Sequence, residues 1–208
     1  MEKLTQTTKN TNSLKKAWNW LWHSDSIWSW IVSLVIAFVI VKFVFFPVLS
    51  LTLGTALPLV VVESSSMSHA GSGTFIGNVI GTQGSFESFW NENGQWYENR
   101  DIDKEEAGNW PLRTGFEKGD IMIVYGRSEP QVGDVIIFNA NTQHPIIHRI
   151  VSIDSTSREI QTKGDNNPSQ LSIEKSISEN AVVGKAVVKI PKLGWVKLVF
   201  VEIVNAFS

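Results

Sequence analysis

The sequence predicts a mainly β domain, compact and barrel-like, carried behind an N-terminal transmembrane helix. Three observations point there. Residues 27–46 form an apolar run whose only charge is Lys42, and twenty helical residues span about 30 Å, the thickness of a bilayer's hydrocarbon core. From Phe116 onward, short β-branched runs recur, two of them directly behind Gly-Asp turns. No long amphipathic helix separates these runs, which argues against a Rossmann-type or TIM-barrel architecture.

The 208 residues are 43% hydrophobic and 18% charged, with a formal charge of -2. That suits one ordinary domain, or a domain of about 150 residues with accessories. It is too apolar for a disordered chain and lacks the basic field of a general nucleic-acid binder. Cysteine is absent, which excludes disulfides, thiolate metal sites, iron–sulfur clusters and a cysteine nucleophile.

Residues 1–26 are polar and basic, with Lys3, Lys9, Lys15 and Lys16 against Glu2 and Asp25. By the positive-inside rule they are cytoplasmic, and the span at 27–50 is a single pass. Trp18, Trp20, Trp22, Trp28 and Trp30 then mark the cytoplasmic interface of a cell membrane. A cleaved signal peptide would carry an apolar core of only about 7–15 residues, so the run reads as a retained anchor. Residues 51–192 are expected as the extracytoplasmic β domain. Gly54 and Pro58 break the helix, and 58–62 reads as a strand delivering the chain into Glu63 to His69, ESSSMSH.

Residues 70–115 are rich in Gly, Ser, Asn and aromatics, among them Phe75, Phe86, Phe89, Trp90, Trp96, Tyr97 and Trp110. No sustained helical period is evident, so this stretch reads as an insertion, a lid or subdomain of short elements. Strands follow in GDIMIVYG, GDVIIFNA, HPIIHRIVSID, REIQTKGD and AVVGKAVVKIP. Residues 193–208 are apolar but interrupted by Lys197, Glu202 and Asn205. They are expected to form an interfacial amphipathic helix, with a last strand on the barrel as the alternative.

Several residues could carry chemistry. Ser64, Ser65 and Ser66 follow an apolar strand, and a serine on such a platform becomes a nucleophile only with a general base in reach. Beyond the cytoplasmic segment the histidines are His69, His144 and His148. His144 and His148 have a spacing that joins metal ligands on a helix, but Pro145 and the β-branched neighbours argue against a helix, and no metal is assigned. Asp165 lies in TKGDNNP. It either stabilises a turn or, buried, orients a histidine and stabilises its imidazolium.

The order of these pieces resembles the type I signal peptidases, and in particular their archaeal and endoplasmic-reticulum branch. It runs from anchor and strand through Ser-Ser-Ser-Met and two Gly-Asp strands to a His-Arg-Ile strand and Lys-Gly-Asp-Asn-Asn, over residues 27–67 and 116–195. The resemblance implies a signal-peptidase-like β-barrel catalytic domain and a membrane-bound serine endopeptidase that removes signal peptides from secretory preproteins. It needs no cofactor and names no partner subunit. It implies Ser66 as nucleophile, with Ser64 and the Ser66 N–H as oxyanion hole. His148 would be the base and Asp165 the acid. A histidine base implies activity that falls as the ring becomes protonated.

Three positions depart from the family pattern. His69 stands where relatives have proline two residues after the motif methionine. Leu171 stands where several carry a second aspartate, leaving Glu174 as the nearest acid, so the third group is either Asp165 or Glu174. The insertion at 70–115 is long for the minimal core. The altered acid motivates one rival reading, an inactive relative that binds signal peptides. Another membrane-tethered serine peptidase is the second rival. Such enzymes usually pair serine with lysine, and the only lysine near the box is Lys163.

Overall fold

The computed structural model describes residues 13, 15–16, 18–70 and 85–206. Lys3 and Lys9 of the basic segment, Phe75 and the rest of 71–84 in the insertion, and residues 207–208 lie outside the described residues. The chain divides into two compact units, Met1–Leu49 and Ser50–Ser208.

One continuous helix, α1 (Ile27–Leu53), is long and apolar enough to cross a membrane. It runs three residues past the expected end at 50 and stops at Gly54, whose φ of 66° only glycine adopts without strain. A π-helical stretch, Val41–Phe45, ends two residues before Pro47. That ring cannot donate to the carbonyl four residues back, and the wider turn takes up the mismatch. Ser29 is buried, and its hydroxyl donates to the Trp20 and Leu21 carbonyls, each at 2.9 Å. This pins the helical turn at 18–23 against the start of α1. The five tryptophans at 18, 20, 22, 28 and 30 are all exposed.

In the second unit six strands form one antiparallel sheet: β1 (Leu59–Val61), β2 (Ile121–Tyr125), β3 (Val135–Phe138), β4 (Ile146–Ile153), β5 (Ile160–Lys163) and β6 (Val182–Ile190). Their order is β1-β2-β6-β3-β4-β5. All the expected strand runs are present, but the barrel is not: among the described residues no ladder joins β1 to β5, and the sheet keeps two edges. Register shifts in three of the pairings bend the strands without closing them.

Alternation along β3 explains why all four of its residues are buried. Val135 and Ile137 join Met67, Phe116, Met122 and Val124 on one face. Ile136 and Phe138 join Ile150, Ile160 and Ile177 on the other.

Helix is more abundant than a mainly β expectation allows. The insertion contains α2 (Phe86–Glu98) and α3 (Lys104–Gly108), and the chain closes with α4 (Trp195–Ala206). Ser85 caps α2 by accepting from the Ser88 N–H at 3.0 Å, and Asp103 caps α3 by accepting from the Glu106 N–H at 2.8 Å. Phe86, Phe89, Trp90 and Tyr97 do fall on one helical face. They pack with Ile102, Ala107 and Trp110 onto Val151 of β4, so the described part of the insertion is a small aromatic subdomain on the sheet. The C-terminal segment is a helix rather than a strand. Leu198 is its buried contact, and Val196, Val199, Phe200, Ile203 and Val204 are exposed.

Candidate functional site

The serine segment follows β1 and is held from several sides. Met67 is buried in the core, its carbonyl accepts from the Phe116 N–H at 3.0 Å, and its sulfur accepts from the Asp165 N–H at 3.3 Å. Ser68 donates to Glu117 at 2.8 Å. The Asn166 backbone N–H donates to the Ser66 carbonyl at 2.8 Å, and the Asn166 amide to the Ser65 carbonyl at 3.1 Å. Ser66 is thus half-buried on a fixed loop, with Ser64 and Ser65 exposed beside it.

His148 of β4 meets this loop. Its Nε2 lies 2.9 Å from Ser66 Oγ, and its Nδ1 lies 2.5 Å from Glu174 Oε1. Glu174 is fully buried at the end of the short 3-10 turn Ser172–Glu174. It also accepts from Thr162 Oγ1 at 3.2 Å and from the Leu171 N–H at 2.6 Å. An ionised carboxylate can only accept, so Nδ1 carries the proton and Nε2 is left to accept from the serine hydroxyl. The result is a hydroxyl, imidazole and carboxylate in line, the arrangement by which a base activates a serine. Ser64 Oγ is 3.1 Å from Ser66 Oγ. Gly164 lines the same site: a Cβ there would sit 2.8 Å from His148 Nε2, so only a bare backbone fits beside the ring.

Asp165, expected as the acid behind His148, lies elsewhere. Its carboxylate accepts from Arg149 Nη2 at 2.7 Å, Arg149 Nε at 3.0 and 3.1 Å, His69 Nε2 at 2.8 Å and Tyr97 OH at 3.1 Å. Burial opposes its charge, but the Arg149 guanidinium and the His69 hydrogen bond outweigh burial and hold the carboxyl well below the usual range. Burial, and then the Asp165 carboxylate, push the Tyr97 hydroxyl up. Neighbours on a strand face opposite ways. His148 pairs with Ile136 and shares its face, while Arg149 pairs with Val135 and takes the other. An acid paired with Arg149 therefore cannot also serve His148.

His69, from the sequence both a candidate histidine and a departure from the family pattern, stacks on Phe89 with ring centres 4.2 Å apart and joins the insertion to the Asp165 cluster. Lys163 is buried, and its ammonium donates to the Gly164 and Asp165 carbonyls at 3.0 and 3.2 Å. Burial lowers its pKa to about 8. His144 is exposed, away from these contacts. Among the described residues no group of three or more His, Asp or Glu side chains is arranged to hold a metal ion.

Comparison of the sequence with protein-family models and with curated proteins finds no match.

Proposed function

We propose that this protein is a membrane-anchored serine endopeptidase that cuts signal peptides from secretory preproteins. The observation that carries the reading is the line Ser66–His148–Glu174, with both contacts of the imidazole at hydrogen-bond distance. His148 Nε2 takes the Ser66 proton as the hydroxyl attacks the scissile carbonyl, and Glu174 stabilises the imidazolium. The Ser66 N–H and the Ser64 hydroxyl bind the oxyanion, the protonated His148 gives its proton to the leaving amine, and water releases the acyl group from Ser66.

Two further observations favour this assignment. Lys163 is committed to two backbone carbonyls, which speaks against a Ser–Lys peptidase. Glu174 supplies a carboxylate to His148 although position 171 is leucine, which favours an active enzyme over an inactive relative. The sheet is then the signal-peptidase-like catalytic domain, with α1 crossing the cell membrane once, its basic side cytoplasmic and the sheet extracytoplasmic. Enzyme and preprotein share a bilayer, which raises their effective concentration.

The test is cleavage of a radiolabelled preprotein by full-length protein in proteoliposomes. Wild type should release the signal peptide, and Ser66→Ala and His148→Ala should each lose more than about 10³-fold while unfolding like wild type. A Ser66→Ala protein that cuts at the wild-type rate would refute the proposal.

A further inference from the structure

A cleft of about 440 Å³ opens beside the serine loop, lined by Glu92, Asn93, Gln95 and Trp96 of α2 and by Asn166 and Pro168. It is joined to the nucleophile's segment through one residue, because Asn166 donates to both the Ser65 and Ser66 carbonyls. Trp96 forms a fixed wall: it packs edge-on to Tyr97 at 5.0 Å, the Arg100 guanidinium lies 3.7 Å from its ring centre, and the buried Lys163 ammonium lies 5.2 Å from it. The chemistry of the lining is amide and carboxylate around one aromatic face, unlike the apolar pocket that a signal peptide's core would seek. The surrounding insertion is acidic, with seven carboxylates against three cations between residues 85 and 115.

We infer that this cleft is a substrate subsite for the first residues on the mature side of the cut, and that it selects an extended, basic or neutral polar segment. The inference rests on the proteolytic reading above. The scissile bond separates an apolar signal peptide from a polar mature chain, and of the two only the polar side matches this lining. A strand residue advances about 3.3 Å, so a chain leaving Ser66 past Asn166 reaches the cleft within its first few residues. Glu92 is the specificity-determining residue, and Trp96, already stacked by Arg100, is a wall of the cleft.

The experiment uses full-length protein in detergent micelles and two preprotein substrates that differ only at mature positions two to four, three lysines in one and three glutamates in the other. Wild type should prefer the lysine substrate in kcat/KM by about fivefold, a ratio suited to solvent-exposed ion pairing, and the ratio should shrink in high salt. Glu92→Lys should reverse the preference. Fluorescence anisotropy of the matching labelled peptides on Ser66→Ala reads the cleft without cleavage and should show the same order, reversed by adding Glu92→Lys. Equal treatment of both substrates by wild type and Glu92→Lys, with Ser66-dependent cleavage intact, would overturn the subsite and leave the peptidase standing. Charge-dependent peptide binding that Glu92→Lys reverses, in a wild-type protein that cuts nothing, would overturn the peptidase and keep the cleft as a peptide site.

Discussion

Replacing Glu174 by glutamine separates the two acids most sharply. An amide has two ways to sit there. With its oxygen kept toward the Leu171 N–H, its NH2 faces His148 Nδ1. The ring must then carry its proton on Nε2, where it cannot accept from Ser66. With the oxygen kept toward His148, the NH2 opposes the Leu171 N–H, now 2.6 Å from a carboxylate oxygen. Two opposed buried donors cost about 1–3 kcal/mol, and the imidazolium still loses its counter-charge. Either way the activity should fall by about 10²–10⁴, or roughly 3–5.5 kcal/mol in barrier height. The cooperative urea transition should survive.

Asp165→Asn should behave differently. It removes the counter-charge of a fully buried arginine, at about 3–5 kcal/mol of stability, a large share of a typical domain's 5–15 kcal/mol. Preprotein cleavage at saturating substrate and urea unfolding, run on both variants, are the assays. The reasoning is refuted if Glu174→Gln cleaves within threefold of wild type, or if Asp165→Asn keeps wild-type stability and loses as much rate as Glu174→Gln should.

Three smaller predictions follow from the same geometry. Ser64→Ala should slow single-turnover cleavage by about 10²–10³-fold with little change in KM, the usual loss for an oxyanion donor; an unchanged rate would remove Ser64 from that role. Tyr97→Phe deletes one charge-assisted hydrogen bond to Asp165 and should lower stability by about 1.5–3 kcal/mol in urea titrations while the folded protein retains most of its kcat. Lys163 has a pKa of about 8 against an ordinary 10.5, so between those values the unfolded chain binds more protons than the folded one. Stability should therefore rise as pH climbs from about 8 toward 10.5. Lys163→Met should flatten that rise, and an identical slope in both proteins would contradict the assignment.

Much of this was readable from residue order because strands and turns have local signatures. Gly-Asp turns before β-branched runs mark β2 and β3, and His148 stands within a strand, while Ser66 lies on the loop that follows β1, five residues past its end. Glu174 was harder. It reaches His148 only after the chain turns back through Gly164 to Leu171, and no periodicity announces such a return. Arg149 held the missing clue: a guanidinium next to a strand histidine must point the other way, and once buried it needs its own carboxylate. Asp165 is that carboxylate, which leaves Glu174 for the histidine. The helix α2 was obscured by Gly94 and its asparagines, poor helix formers that dilute a face made by Phe86, Phe89, Trp90 and Tyr97. Sheet closure depends on a pairing between β1 and β5 that strand-by-strand patterns do not encode.

The most direct measurement is an intact-mass spectrum of full-length protein quenched in acid within milliseconds of mixing with a preprotein. An ester at position 66 should appear, heavier than the free protein by the signal peptide's acyl group less one hydrogen, and should be absent in Ser66→Ala. Efficient processing with that serine never modified, or with the adduct on another side chain, would contradict the account.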